Sequence, residues 1–440
     1  MNPCSRVLVL LALVAGCGSD SQPDLDAELQ AGLAGFGSAP PPPAQDPAQV
    51  ELGRALFFDK ILSGNRDISC ATCHPPAGVM ADGLSLSIGT GGTGSGPART
   101  LGAGKQFEPR NVPTLLNVGF LAPGQAVFWD GRVRVDFSGH MITPAGAALP
   151  PEVTDVLVAQ AMFPVANRVE MRGETGDLDR FGNANELAAF ADTDFPGIWN
   201  AIMQRLLAIP DYEAKFNAAF PGVATSALGF QHAAMAIAAF EKQELTRINS
   251  PLDRYFAGDT AALTIQQKRG GVLFSSPELH CTACHEGALL GGGQFQDTGA
   301  PQMGPGVGAA APLDAGAGSF AFRVAPLRNV ELTAPYMHSG AYATLENAVR
   351  HYNEVVSAQQ NFDVSQLAPV FQPLHHGDTA TIAAVSAATS GAPLPAPGAL
   401  ADSDKVADIV AFLKSLTDPS ARNLSSLVPA SVPSGLPIAD

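Results

Sequence analysis

Cys70-Ala71-Thr72-Cys73-His74 and Cys281-Thr282-Ala283-Cys284-His285 decide how this chain is read. Cys-x-x-Cys-His is the spacing by which a polypeptide holds haem covalently. Each thiol adds across one vinyl group of the porphyrin, and the following histidine reaches the iron as proximal ligand. Cys70, Cys73, Cys281 and Cys284 are thus expected to attach two haem c groups, with His74 and His285 on the irons. A Cys-x-x-Cys pair also suits a thiol–disulfide redox centre or half of a zinc site. Neither of those needs a histidine directly after the second cysteine in both copies.

The surroundings of the two motifs repeat as well. Gln49 to Phe58 reads as a short amphipathic helix ahead of a loop and Cys70; Thr264 to Phe274 stands in the same relation to Cys281. Leu56-Phe57 and Leu273-Phe274 occupy matching places, which marks an internal duplication. Each unit is expected to close with a second helix. Gln231 to Leu245 is rich in helix formers. Val406, Ile409, Val410, Leu413 and Leu416 recur at helical period behind Asp402 or Ser403 as N-cap. The fold class that follows is mostly α, two cytochrome-c-like helical haem domains over residues 48–249 and 250–440. Strand signals are scarce, and 45 Gly with 36 Pro imply long irregular loops, one of them within residues 357–401. Gly89-Thr-Gly91-Gly-Thr-Gly94 satisfies Gly-x-Gly-x-x-Gly, but no strand precedes it and no helix follows, so it does not read as a dinucleotide site.

The chain opens with Arg6 and an apolar run from Val7 to Ala15, too short to span a bilayer, which reads as a secretory signal. Val14-Ala15-Gly16-Cys17 resembles a bacterial lipoprotein box. Residues 1–17 are then a lipoprotein signal peptide, Cys17 a lipidated first residue, and residues 18–47, which hold Pro40 to Pro43, a Pro-rich tether. The alternative is an ordinary signal with an incidental cysteine. A periplasm-facing lipoprotein is expected, touching the membrane only through its lipid. The formal charge of −16 argues against nucleic acid and against charge-driven binding to an anionic membrane.

Five further stretches carry a resemblance. They are Glu51-Leu-Gly-Arg-Ala-Leu-Phe-Phe-Asp59, Arg110-Asn-Val-Pro-Thr114, Phe128-Trp-Asp-Gly-Arg132, Asn167-Arg-Val-Glu-Met171, and the run from Pro326 through Leu327, Arg328 and Asn329 to Gly340. In this order they resemble the bacterial di-haem cytochrome c peroxidase family, which includes the methylamine-utilisation protein MauG. Insertions separate them, notably at residues 133–166 and 357–401.

The resemblance implies a division of labour. The N-terminal haem reacts with peroxide and the C-terminal haem relays electrons. Glu170 matches the distal acid/base, which moves a proton between the peroxide oxygens; Pro164 and Phe163 would wall its pocket, with plain packing as the equal alternative. Trp129 matches the aromatic placed between the haems. Arg132, Arg328 and His338 would contact haem or its propionates, with structural pairing as the alternative. Many relatives block the peroxide face with a loop histidine. Thr90 stands there in this chain, so that face is expected to be open without reductive activation, unless His140 swings in. The distal ligand of the second haem falls on Tyr352, which shares a helical face with Leu345, Ala348 and Val349, whereas His351 points away. Met337 or Met303 are the alternatives. Asn111, Thr333 and Pro335 match a calcium position of oxygen ligands. His375 and His376 read as surface residues.

These expectations give a di-haem peroxidase that reduces hydrogen peroxide with electrons from a small c-type cytochrome or cupredoxin. One alternative is a MauG-like oxidase that stores two oxidising equivalents and oxidises a protein or organic partner. Another is a di-haem electron carrier with no turnover.

Overall fold

The computed structural model describes residues 24–37, 43–120, 126–136, 138–291, 293–305 and 313–439. The signal segment and Cys17 lie outside them. The protein is mostly helical with few strands. Each unit is built on a crossed pair of helices. In the first, the leading helix Pro47–Phe58 crosses the closing helix Phe230–Glu244; in the second, Ile265–Phe274 crosses Ser403–Lys414.

Local chemistry sets the ends of these helices. Asp46 accepts from the backbone N–H groups of Ala48 and Gln49, and Pro47 takes the first helical position, where no N–H is needed. Thr264 and Gln267 form a reciprocal capping box. Asp402, rather than Ser403, caps the last of the four by accepting from Asp404 N–H.

The two crossings repeat residue by residue. A Cβ on Gly53 would lie 1.9 Å from Ala236 O and 2.9 Å from Phe240 Cβ; one on Gly270 would lie 1.8 Å from Asp408 O and 2.9 Å from Phe412 Cβ. Only glycine lets the backbones approach this closely. One turn on from each glycine, Phe57 meets Phe240 with ring centroids 5.2 Å apart, and Phe274 meets Phe412 at 5.2 Å. The Leu-Phe repeat of the sequence is therefore a packing repeat.

Two domain boundaries differ from the sequence expectation. The stretch expected to be a tether contains the helix Leu25–Gly32, capped by Asp24. Leu29, Leu33 and Phe36 are buried in the core of the second unit, next to Phe274 and Phe412. Asp26 pairs with Lys268 and accepts from Tyr255 Oη. Burying three such side chains contributes about 1.5–3 kcal/mol each, which explains why this piece docks. The C-terminal tail does the reverse. Ala421, Leu424, Leu427, Val432 and Leu436 lie in the core of the first unit, and Ser434 bonds to Asp59 through its N–H and hydroxyl. The chain ends are thus exchanged between units, and residues 48–249 and 250–440 are not self-contained domains.

A third apolar cluster joins the units. Leu84, Leu86 and Ile88 pack against Met303, Tyr342 and Phe371. The inserted residues 133–166 begin in a three-stranded antiparallel sheet, Ala126–Val127, Val133–Val135 and Met141–Ile142. The Ala-rich stretch at 357–401 is partly helical, because Asp378 caps Thr379–Ala388.

Candidate functional site

Cys70–Cys73 and Cys281–Cys284 each form a single helical turn that ends on the histidine. His74 N–H donates to Cys70 O at 2.8 Å, and His285 N–H to Cys281 O at 2.9 Å. The next step is also duplicated. His74 Nδ1 lies 2.9 Å from Met80 O, and His285 Nδ1 lies 2.9 Å from Leu290 O. A carbonyl only accepts, so Nδ1 carries the proton and Nε2 keeps its lone pair for a metal. Met80 (φ 62°) and Leu290 (φ 54°) both hold left-handed backbone, which is uncommon for such side chains. Burial keeps both rings neutral, pushing His74 down to about 4 and lowering His285.

The sulfurs do not have the character of redox thiols. Burial pushes the Cys70 and Cys281 thiols up to about 12, whereas reactive cysteines are depressed. A cavity of about 830 Å³ opens on Cys70, Cys73 and His74, within the size range of cofactor pockets. It runs past Trp129 to Arg323 and Arg328 of the second unit. Two sulfurs on one turn, a lone pair held on Nε2 and a cavity against them fit a covalently held haem.

Glu170 lines this cavity together with the motif. It sits in a π-helical turn, Arg168–Arg172, whose N-cap Asn167 accepts from Val169 and Glu170 N–H. Such turns occur at functional sites because they redirect a side chain at one position. Burial lifts the Glu170 carboxyl above the ordinary range, opposed by the Arg132 charge. Pro164 lines the same cavity. Phe163 does not: it packs edge-on against Phe195 and Trp199, the plain packing that is its alternative reading.

Thr90 is buried and fixed. Its hydroxyl donates to Asp67 Oδ1 at 2.8 Å, and its N–H donates to Glu170 O at 3.0 Å. His140 lies on the turn of the small sheet with its side chain 77% exposed. Among the described residues, His74 is the only histidine that lines the cavity.

Trp129 is held by its indole N–H, which donates to Asn111 O at 2.8 Å. Asn111 N–H donates in turn to His338 O at 2.7 Å, and its amide nitrogen to Leu84 O at 2.7 Å. Arg132 stacks over Phe128 at 3.5 Å and pairs with Asp130. Arg328 is buried and bonded to Asp253 and to Ala288 O, which ties the loop after His285 to the helix Pro251–Phe256. His338 stacks on Phe322 at 3.5 Å, and its Nε2 is buried with no partner. Thr333 and Pro335 line the cavity with Asn111.

Tyr352 ends the helix Leu345–His351. Burial first, and nearby Cys284 and Cys281 after it, raise its phenol to about 12, while a hydrogen bond with Thr298 opposes them. Tyr352 and Cys281 pack against the same apolar core. His351 is engaged at both ring nitrogens, by Tyr342 Oη at 2.8 Å and Thr298 O at 2.7 Å. Met303 is buried in the cluster between the units, and Met337 lines the large cavity. His376 is not a loose surface residue, since its Nε2 bonds Gly304 O at 2.8 Å.

Three cavity residues escape sequence reasoning. Glu108 and Glu241 are cavity carboxyls raised by burial, Glu241 to about 8. Arg323 is a buried cavity cation whose guanidinium is lowered to about 10 by burial alone. Glu108 stands two residues before a quoted motif, and nothing in its spacing sets it apart.

Comparison with known proteins places this geometry. Residues 47–261 match the family described as di-haem cytochrome c peroxidase. The cytochrome c551 peroxidase of Pseudomonas aeruginosa is 35% identical over 309 residues, covering 68% of this chain and 70% of that protein. The methylamine utilization protein MauG of Methylorubrum extorquens is 32% identical over 335 residues, covering 76% of each. A crystal structure of a MauG-like protein associated with microbial copper homeostasis superposes with a TM-score of 0.58 at 25% identity, covering 89% of this chain and 96% of that one.

Proposed function

The chain belongs to the di-haem cytochrome c peroxidase family and is an oxidoreductase, and on that footing we propose that it reduces hydrogen peroxide at the first unit with electrons entering through the second. The family implies two haem c groups, held by Cys70, Cys73 and His74 and by Cys281, Cys284 and His285. When bound, each haem supplies an iron that exchanges electrons one at a time.

The single observation that carries the proposal is the asymmetry between the units. In the first, a half-buried carboxyl, Glu170, lines the same cavity as the Cys-x-x-Cys-His turn. In the second, Tyr352 and Cys281 pack against one apolar core. Glu170, disposed to hold a proton, takes one from the near peroxide oxygen and returns it to the far one, so that water departs. Thr90, fixed by Asp67, leaves the peroxide face of the first unit clear of a side-chain ligand. Trp129, with its ring plane fixed by Asn111 O, stands where electrons cross between the units. Arg132 and Arg328 would hold haem carboxylates in addition to their pairing with Asp130 and Asp253, and His338 would pack against the second haem.

Mixing the fully oxidised protein with peroxide tests this reading. Prompt consumption of one peroxide per chain is expected; a response only after half-reduction would show that a ligand must first be displaced.

A MauG-like oxidase is the second reading. Tyr352 favours it, because a phenolate stabilises oxidised iron where a thioether would not. A calcium ion between the units is proposed at Asn111 Oδ1, Thr333 and Pro335: the Asn111 amide nitrogen faces Leu84 O, leaving its oxygen as the ligating side. The donor is proposed to be a small c-type cytochrome or cupredoxin with a basic face, matched to the net charge of −16. Lipidation of Cys17 would hold the protein at the periplasmic side of a membrane. Among the described residues no helix is long and apolar enough to cross one.

A further inference from the structure

Four arginines line the cavity, Arg110, Arg132, Arg323 and Arg328, and three of them are paired with carboxylates. Arg110 is held by Asp314 at 2.6 Å and by Asp130 at 2.8 Å, Arg132 by Asp130 at 3.1 Å, and Arg328 by Asp253 at 2.8 Å. Arg323 is the exception. It is 9% exposed, and among the described residues no carboxylate pairs with it. Its side chain makes one bond, from Nε to Phe128 O at 3.3 Å, which leaves both terminal nitrogens to the cavity. A guanidinium keeps its charge, and a buried charge is costly until an anion meets it. The backbone here is fixed from both units. Arg323 N–H donates to Trp129 O at 2.8 Å, and Phe322–Arg323 pairs antiparallel with Phe295–Gln296. Further on, Leu327 N–H donates to Leu289 O at 3.2 Å, next to the Leu290 carbonyl that holds His285. Arg323 thus belongs to a segment bonded at one end to the Trp129 loop and at the other to the loop that grips the second haem.

We propose that Arg323 is a positioning residue whose terminal nitrogens bind a propionate carboxylate of the second haem, while its Nε and N–H hold the carbonyls of Phe128 and Trp129. Haem brings two propionate carboxylates, and a planar guanidinium fork matches one of them with two parallel hydrogen bonds. Because one residue makes both sets of bonds, the indole of Trp129 and the second haem are kept at a fixed separation. A cation at this edge also favours the haem state that holds one more electron, so it eases reduction of the second haem.

This inference rests on two haems being held and not on their reaction with peroxide, so an equilibrium redox titration of the holoprotein, followed in the visible spectrum, tests it. Arg323→Gln removes the charge. It should weaken reduction of the second haem by about tenfold, which is about 59 mV for one electron, and leave the first haem within about twofold. Arg323→Lys keeps the charge and should recover most of that shift, which a merely structural role for the arginine would not allow. An unmoved second haem, equal shifts from Gln and Lys, or a shift confined to the first haem would overturn the proposal. Should Arg323→Gln not fold, a crystal structure of the wild-type holoprotein decides. A carboxylate oxygen of the second haem is expected within about 3 Å of an Arg323 terminal nitrogen, and propionates held elsewhere would overturn the assignment. A protein that gives the expected shifts but ignores peroxide would instead overturn the peroxidase reading alone.

Discussion

The two units hold their Cys-x-x-Cys-His turns in the same way and differ in what faces them. Both use a glycine crossing, a phenylalanine pair at 5.2 Å, and a histidine whose Nδ1 is bonded to a left-handed carbonyl. Around the turns, the first unit's cavity carries Glu170 with Thr90 held by Asp67, and the second holds Tyr352 bonded with Thr298. The duplicated part is the grip on the cofactor. The unduplicated part is what surrounds that grip, and it comes from loops and a π-helical turn rather than from the crossed helices. On the proposed reading, a copied fold with a few exchanged side chains would separate catalysis from electron delivery.

Glu170→Gln puts the greatest strain on this contrast. It should slow the reaction of the oxidised protein with peroxide by about 10²-fold or more in stopped-flow mixing, leaving the spectrum of the second haem untouched. Equal kinetics would remove Glu170 from the reaction. Gly53→Ala and Gly270→Ala test the shared grip. Each drives a methyl into a backbone carbonyl and should cost about 1–3 kcal/mol or more in denaturant unfolding. Each should loosen mainly its own haem, and identical damage to both haems from one variant would show that the units are not separable. Tyr352→Met should raise the reduction potential of the second haem by roughly 100 mV, a fraction of the span that axial ligands command. An unmoved potential would mean that the phenol is not on the iron. Asp26→Asn has the smallest expected effect. It removes the half-buried pair with Lys268 and should lower stability by about 1 kcal/mol at most, sensed at the second haem rather than the first.

The duplication, the helical class and the attachment residues are legible in the chain because each depends on near neighbours. Cys-x-x-Cys-His is one helical turn, the Leu-Phe repeat is one helix face, and Asp402 caps the residues just after it. Phe163 shows the limit: its neighbours leave pocket wall and plain packing equally open, and Phe195 and Trp199, more than thirty residues away, hold it in the core. The ends of the chain show it again. A small, polar, Pro-rich composition describes residues 18–47 on average, and three apolar side chains among them were enough to dock a helix onto the far unit.

The sequence by itself determined that two haem grips exist and where they lie, since covalent attachment is written in residues a few positions apart. Tertiary structure alone decided which side chains face each grip. It brought Glu170 and Arg323 into one cavity, Thr298 to Tyr352 and the tail to the first core. Burial and charge act through space, so a carboxyl is pushed to hold its proton only when distant segments have closed around it.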